Sequence, residues 1–270
     1  MALGRLKKIM VDISFVTLGW LFLVALVAGI IDAMAGGGGL LTLPSLLAAG
    51  LDPVAALATN KSQGIFSSLS AALHFWRKGK LTLRDHALPA GTAFAGGFLG
   101  ATSISLANPQ FLKILVPFLL IAIAIWVLFS PQLGHVQRKA RISFAACSLT
   151  LIPVVGFYDG FLGPGTGTFY ALGMVSILGL TLQEATLRAK LYNFASNLGG
   201  LSFFLFSGHI VWTYGLTMII GTIIGGTIGA RLIIQHGTNL IKPVLVIMSL
   251  AMSAKLLWQQ GFIQRLLVWP

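Results

Sequence analysis

Four ionisable side chains stand inside apolar stretches of this 270-residue chain, and they come in two matched pairs: Asp32 with Lys61, and Asp159 with Lys190. A charge at membrane depth costs roughly 2.5–3.5 kcal/mol on insertion scales, so such residues face a protein interior or a water path and mark function. The lysines offer positive charge to an anion. The carboxylates offer either counter-ions for those lysines or sites for a proton. Lys190, Asn193 and Asn197 fall at i, i+3 and i+7, one stripe of a helix, while Thr59, Asn60, Gln63 and Ser67 surround Lys61. Two readings compete. In one, Asp–Lys ion pairs fix a bundle and touch no substrate. In the other, the charges line a polar, water-accessible path, and the asparagines favour this, because helix packing in a membrane needs only small residues and an occasional hydroxyl.

Each Asp lies four residues before a glycine-rich break: Gly36-Gly37-Gly38-Gly39 after Asp32, and Gly163-Pro164-Gly165 after Asp159. Each break fits an unwound turn whose next segment opens with free backbone N–H groups and the positive end of a dipole. The plainer reading is a tight corner that uses glycine for its small size. The candidate substrate-binding residues are therefore Gly36, Gly37, Gly38, Gly39, Asn60, Lys61, Gly163, Gly165, Lys190, Asn193 and Asn197, with Asp32 and Asp159 as proton-coupling or ion-pair candidates. The five His have no i, i+4 pair and the one cysteine, Cys147, sits in an apolar run, so no metal site or disulfide framework is readable. Walker and nucleophile-elbow motifs are missing as well, so neither an enzyme nor a cofactor is expected.

The elements that must carry these residues are membrane helices. Hydrophobic residues make up 56% and charged residues 9% of the chain, and the mean hydropathy is +0.91, against about a quarter charged in a soluble domain. Apolar runs place about eight transmembrane helices at 13–35, 53–76, 86–105, 111–130, 142–162, 182–206, 212–234 and 240–259. Two shorter pieces, Leu40 to Gly50 and Thr168 to Gly179, read as re-entrant segments. Lys61 then lies about 12 Å into its helix, near mid-depth. The net charge of +12 points to cytoplasmic loops, not to nucleic acid. With eight crossings, the cations at 5–8, 77–84, 138–141 and 265 share one side, so both termini are expected in the cytoplasm.

The chain also repeats itself. Asp159 follows Asp32 by 127 positions; after the break the offset becomes 129, pairing Lys61 with Lys190, Ser67 with Ser196, and Gly96, Gly97 and Gly100 with Gly225, Gly226 and Gly229. This predicts an all-α membrane protein of two four-helix repeats, residues 1–137 and 138–270, forming one transport domain. An even number of crossings per repeat gives parallel repeats; if the short segments cross, the repeats are inverted.

The run from Gly29 to Pro44, the stretch Ala56-Leu-Ala-Thr-Asn-Lys61, the run from Gly156 to Gly165 and Ala189-Lys-Leu-Tyr-Asn193 resemble the TauE/SafE sulfite-exporter family, in its bacterial inner-membrane branch. The resemblance covers nearly the whole chain. It implies a multi-pass inner-membrane protein that exports a sulfur-containing anion such as sulfite or a sulfonate. The expected partners are a small anionic substrate and the lipid bilayer, with self-association open. An inside-negative potential would contribute about 2.3 kcal/mol per charge per 100 mV to expelling an anion. The alternatives are an anion channel and an exporter of another small organic anion.

Overall fold

In a computed structural model, residues 14–108 (apart from 80 and 83), isolated positions between 110 and 125, and residues 139–236 are described. The expected helix at 240–259 lies outside them, and the one at 111–130 falls mostly outside. The described residues form α1 (Phe15–Ala35), α2 (Gly39–Ala48), α3 (Pro53–Arg77), a 3-10 turn (Arg84–His86), α4 (Ala87–Ser105), α5 (Phe144–Leu149), α6 (Leu151–Phe161), α7 (Thr166–Leu178), α8 (Leu182–Ser207) and α9 (Trp212–His236). The architecture is all-helical, as expected.

Local chemistry explains the ends. Asp52 caps α3 by accepting from the N–H groups of Val54 and Ala55, with Pro53 in the first turn. Thr181 and Glu184 close a capping box on α8. The stretch expected as one helix at 142–162 bends between α5 and α6, where Pro153 has no N–H to return to Leu149.

α1, the α5–α6 pair and α9 are long and apolar enough to cross a membrane. α3 and α8 are as long but too polar, and the packing shows why. Thr59, Asn60, Lys61, Ser62, Gln63 and Ser67 of α3 are buried, as are Lys190, Asn193, Ser196 and Asn197 of α8, whereas Leu23, Leu99, Val154 and Ile220 on the outer helices are exposed. Polar groups inside and apolar groups outside is the arrangement a bilayer selects.

Contacts along the helices give their directions. Gly221, Gly225 and Gly229 of α9 pack in turn on Phe22, Leu26 and Ile30 of α1, so these two run the same way. α3 runs with them: Val211 donates to Thr59 Oγ1, Thr222 to Gln63, and Gly226 packs on Ser67 and Ser70. Reciprocally, Gly96 and Gly100 of α4 pack on Pro153–Phe157 and Phe157–Phe161 of α6, and α8 runs with α4, with Tyr192 beside His86 and Ser196 beside Gly97. The two groups oppose each other. Lys61 on α3 packs beside Gly200 on α8, and Gly64 packs beside Asn197, so the helices bearing the equivalent lysines cross antiparallel.

The short segments explain the difference from the expected parallel arrangement. Since α1 and α3 point the same way, α2 must carry the chain back. Gly38 at its start lies at the level of Asp32 and Ser67, and Thr42 one turn on lies at Asn60. α7 does the same between α6 and α8, with Thr166 against Asp159 and Tyr170 against Ile152 and Tyr192. At 10 and 13 residues these are about 15 and 20 Å long, too short for a full crossing by the usual length rule but sufficient for a return from a break at depth.

The glycine contacts are tight enough to test. A Cβ added at Gly221 would lie 2.5 Å from the Phe22 carbonyl oxygen, whereas one added at Gly19 meets nothing within 4 Å. Gly221→Leu should force α1 and α9 apart at a cost of about 1–3 kcal/mol, read as a lower melting temperature in detergent. Gly19→Leu should leave melting unchanged.

Candidate functional site

The two glycine breaks meet each other. A Cβ on Gly36 would lie 2.6 Å from Gly167 Cα, and Gly36 has φ +78°. Gly39 packs against Pro164. Gly163 and Gly165 also have positive φ, +91° and +79°, a conformation that costs an L side chain energy and glycine nothing. The compact-corner reading therefore holds at Gly36, but the corner also forms the wall of a cavity.

That cavity has a volume of ≈ 30 Å³, room for about two water molecules. It is lined by Gly36, Gly38, Gly39, Asn60, Lys61, Gly163, Asn193 and Asn197 of the expected set, together with Asp32 and Asp159. Gly37, Gly165 and Lys190 lie beside it without lining it. Gly37 accepts from the N–H of Leu40, and Gly165 caps α7.

Lys61, 1% exposed, donates to Asp159 Oδ1 at 2.7 Å in an ion pair that joins α3 to α6. Asp159 also accepts from Thr166 Oγ1 at 2.9 Å and from Ser196 Oγ at 2.6 Å. The equivalent residues are arranged differently. Lys190 donates to the backbone carbonyl of Asp32, not to its carboxylate. The Asp32 carboxylate accepts from Ser67 Oγ at 2.7 Å and from the Gly38 N–H at 3.2 Å. One of the N–H groups at the start of α2, expected to be free for a ligand, is thus turned on the protein's own carboxylate, an anion at a helix start.

Amides complete the lining. Asn60 Oδ1 accepts from Thr42 Oγ1 at 2.5 Å and from Gln63 Nε2 at 2.8 Å, and Thr222 donates to Gln63 Oε1 at 2.6 Å. Asn197 Nδ2 donates to Asn193 Oδ1 and to its carbonyl. Such amides can turn either a donor or an acceptor toward a guest.

Sequence reasoning placed Ser67 beside Lys61 without counting it in the site, and missed Ser196, Thr166, Thr42 and Thr222 as members of the cluster. A signal existed for Ser196, since it coincides with Ser67 at the repeat offset. Thr42 and Thr222 carry no comparable mark, because a hydroxyl in an apolar helix reads first as packing.

The family described as Sulfite exporter TauE/SafE matches residues 21–256. The chain is 44% identical to a probable membrane transporter protein of Haemophilus influenzae, over 93% of this chain and 98% of the relative. It is 43% identical to the probable membrane transporter protein ORF9 of a Sinorhizobium species, over 92% and 95%. It is 44% identical to the probable membrane transporter protein YfcA of Escherichia coli K12, over 91% of each. No solved structure matches.

Proposed function

The chain belongs to the sulfite exporter TauE/SafE family of membrane transporters, and from that premise we propose that it is a secondary transporter moving a small sulfur-containing anion, sulfite or a sulfonate, across the bacterial inner membrane. The observation that carries the reading is the polar cavity where α3 and α8 cross, lined from α1, α3, α6 and α8 and holding Lys61. Lysine supplies charge, Asn60, Asn193 and Asn197 supply neutral hydrogen bonds, and Gly36, Gly38, Gly39 and Gly163 let backbone approach the ion closely.

The unequal treatment of equivalent residues supports alternating access. Lys61 reaches the carboxylate of its Asp, and Lys190 reaches the carbonyl of its own. Exchanging these two local arrangements between the halves, residues 1–137 and 138–270, would open the cavity to the other side. The antiparallel lysine helices and the reciprocal packing of α1 on α9 and of α6 on α4 support inverted repeats. Proteoliposomes holding the protein should show saturable sulfite flux that is accelerated by unlabelled sulfite on the far side. Unsaturable flux with conductance in a planar bilayer would instead favour the channel.

The helix directions also bear on orientation. Among the described residues every Lys and Arg other than Lys61 and Lys190, namely Arg77, Lys78, Arg84, Lys139, Arg141, Arg188 and Arg231, belongs to one end of the bundle, the end where α3 and α9 finish and α4, α6 and α8 begin. That end should face the cytoplasm. The start of α1 then faces outward, against the expectation of a cytoplasmic N-terminus. The C-terminal part of the expectation falls outside the described residues. In intact cells, a cysteine placed just before Ser14 should react with an impermeant thiol reagent and one placed at Lys139 should not; the reverse pattern would restore the first orientation.

A further inference from the structure

Asp159 already occupies the position an anion would take on Lys61. The pair is buried, 1% exposed on the lysine, and the ion pair is made at 2.7 Å. Together Asp32, Asp159, Lys61 and Lys190 sum to zero charge. An incoming monoanion that met this cluster unchanged would leave a net negative charge among buried side chains, which is costly. It would also have to displace a carboxylate that then lacked a counter-ion.

We propose, resting on the anion-site reading above, that Asp159 is the proton carrier of the transport cycle and that each monoanion crosses together with one proton in the same direction. The exchange balances: the Asp159 carboxylate takes up one proton and releases Lys61, whose ammonium then holds the anion, so the cluster stays neutral before and after. No bond other than the carboxyl O–H is formed. Thr166 and Ser196, which donate to the carboxylate at 2.9 and 2.6 Å, can accept from the carboxylic acid by rotating their hydroxyls.

The surroundings single out Asp159. Among the described residues, the ionisable groups facing it are Lys61 from α3, Tyr158 on its own helix and Tyr170 from α7. α8 brings Lys190, which is engaged by the Asp32 carbonyl, and α5 brings only Cys147. α4 brings no titratable side chain. A tyrosine or cysteine does not take up a proton near neutrality. Asp32, the other acid, has no lysine hydrogen-bonded to its carboxylate oxygens and so no lysine to release by protonation. This coupling removes the membrane potential as a driving force, and a periplasm more acidic than the cytoplasm would favour uptake. Export would then run on the anion's own gradient.

The test uses full-length protein in proteoliposomes, with methanesulfonate as the probe because it stays a monoanion at every working pH, so that any accompanying proton rides on the protein. A trapped pH dye should report internal acidification as the anion enters, at one proton per anion. A pH gradient alone should accumulate the anion about tenfold per unit, and an imposed membrane potential should change nothing. Asp159→Asn should lose the proton signal, and whatever anion flux it retains should follow the membrane potential. If that variant does not fold, the wild-type measurements stand alone. Saturable flux that leaves internal pH unchanged, or that follows the potential, would overturn the coupling and leave the anion site standing. Absence of any saturable flux would overturn the anion site and the coupling with it.

Discussion

Replacing Lys61 with Gln is expected to abolish anion flux and to destabilise the protein at the same time, whereas Lys61→Gln combined with Asp159→Asn should recover the stability and not the flux. The single change strands the Asp159 carboxylate, which is buried and bonded at 2.7 Å to Lys61. Removing one partner of a buried pair costs about 3–5 kcal/mol, because the other charge is left uncompensated. The double change removes both charges and leaves two amides that can hydrogen-bond each other and the hydroxyls of Thr166 and Ser196. The cycle thereby separates the two roles open to these residues. Melting temperature in detergent reads the structural role and proteoliposome flux reads the functional one. Flux that returns with stability would mean that the pair only fixes the bundle.

Gly36→Ala should be nearly as severe, and Gly50→Ala mild. Both glycines have positive φ, +78° and +94°, so a methyl at either costs about 1–3 kcal/mol in backbone strain. Only Gly36 adds a collision: its Cβ would lie 2.6 Å from Gly167 Cα and 2.9 Å from Thr168 N, while a Cβ at Gly50 meets nothing within 4 Å. The collision falls where the two breaks touch, so it would spread the wall of the cavity. Gly36→Ala is expected to lose at least tenfold in flux and to lower the yield of folded protein. Gly50→Ala should lose some stability and keep its flux. Equal flux in the two would mean that contact between the breaks is irrelevant to transport.

Much of the fold is written in local chemistry. α3 and α8 start at the expected residues, where Asp52-Pro53 and Thr181 with Glu184 are capping sequences. The cavity's charged and amide residues stand out for the same reason they are costly, as polar groups in apolar surroundings. Direction was not legible. Hydropathy counts segments long enough to span, and α2 and α7 fail that count, yet each reverses the chain because α1 and α6 break at depth, beside Asp32 and Asp159. One such reversal in each proposed repeat would exchange parallel repeats for inverted ones and would move the start of α1 to the other face, as the proposal above has it. The pairing of charges was also beyond the sequence. Lys61 stands nearer in sequence to Asp32 but bonds Asp159, because the antiparallel crossing of α3 and α8 brings Lys61 to the break after α6 and Lys190 to the end of α1.

Equilibrium dialysis of radiolabelled sulfite against the purified protein in detergent tests the central claim most directly. Wild-type protein should bind one ion per chain, saturably, and the stable Lys61→Gln/Asp159→Asn variant should bind none. Equal binding by the two would contradict the assignment of the anion site to Lys61.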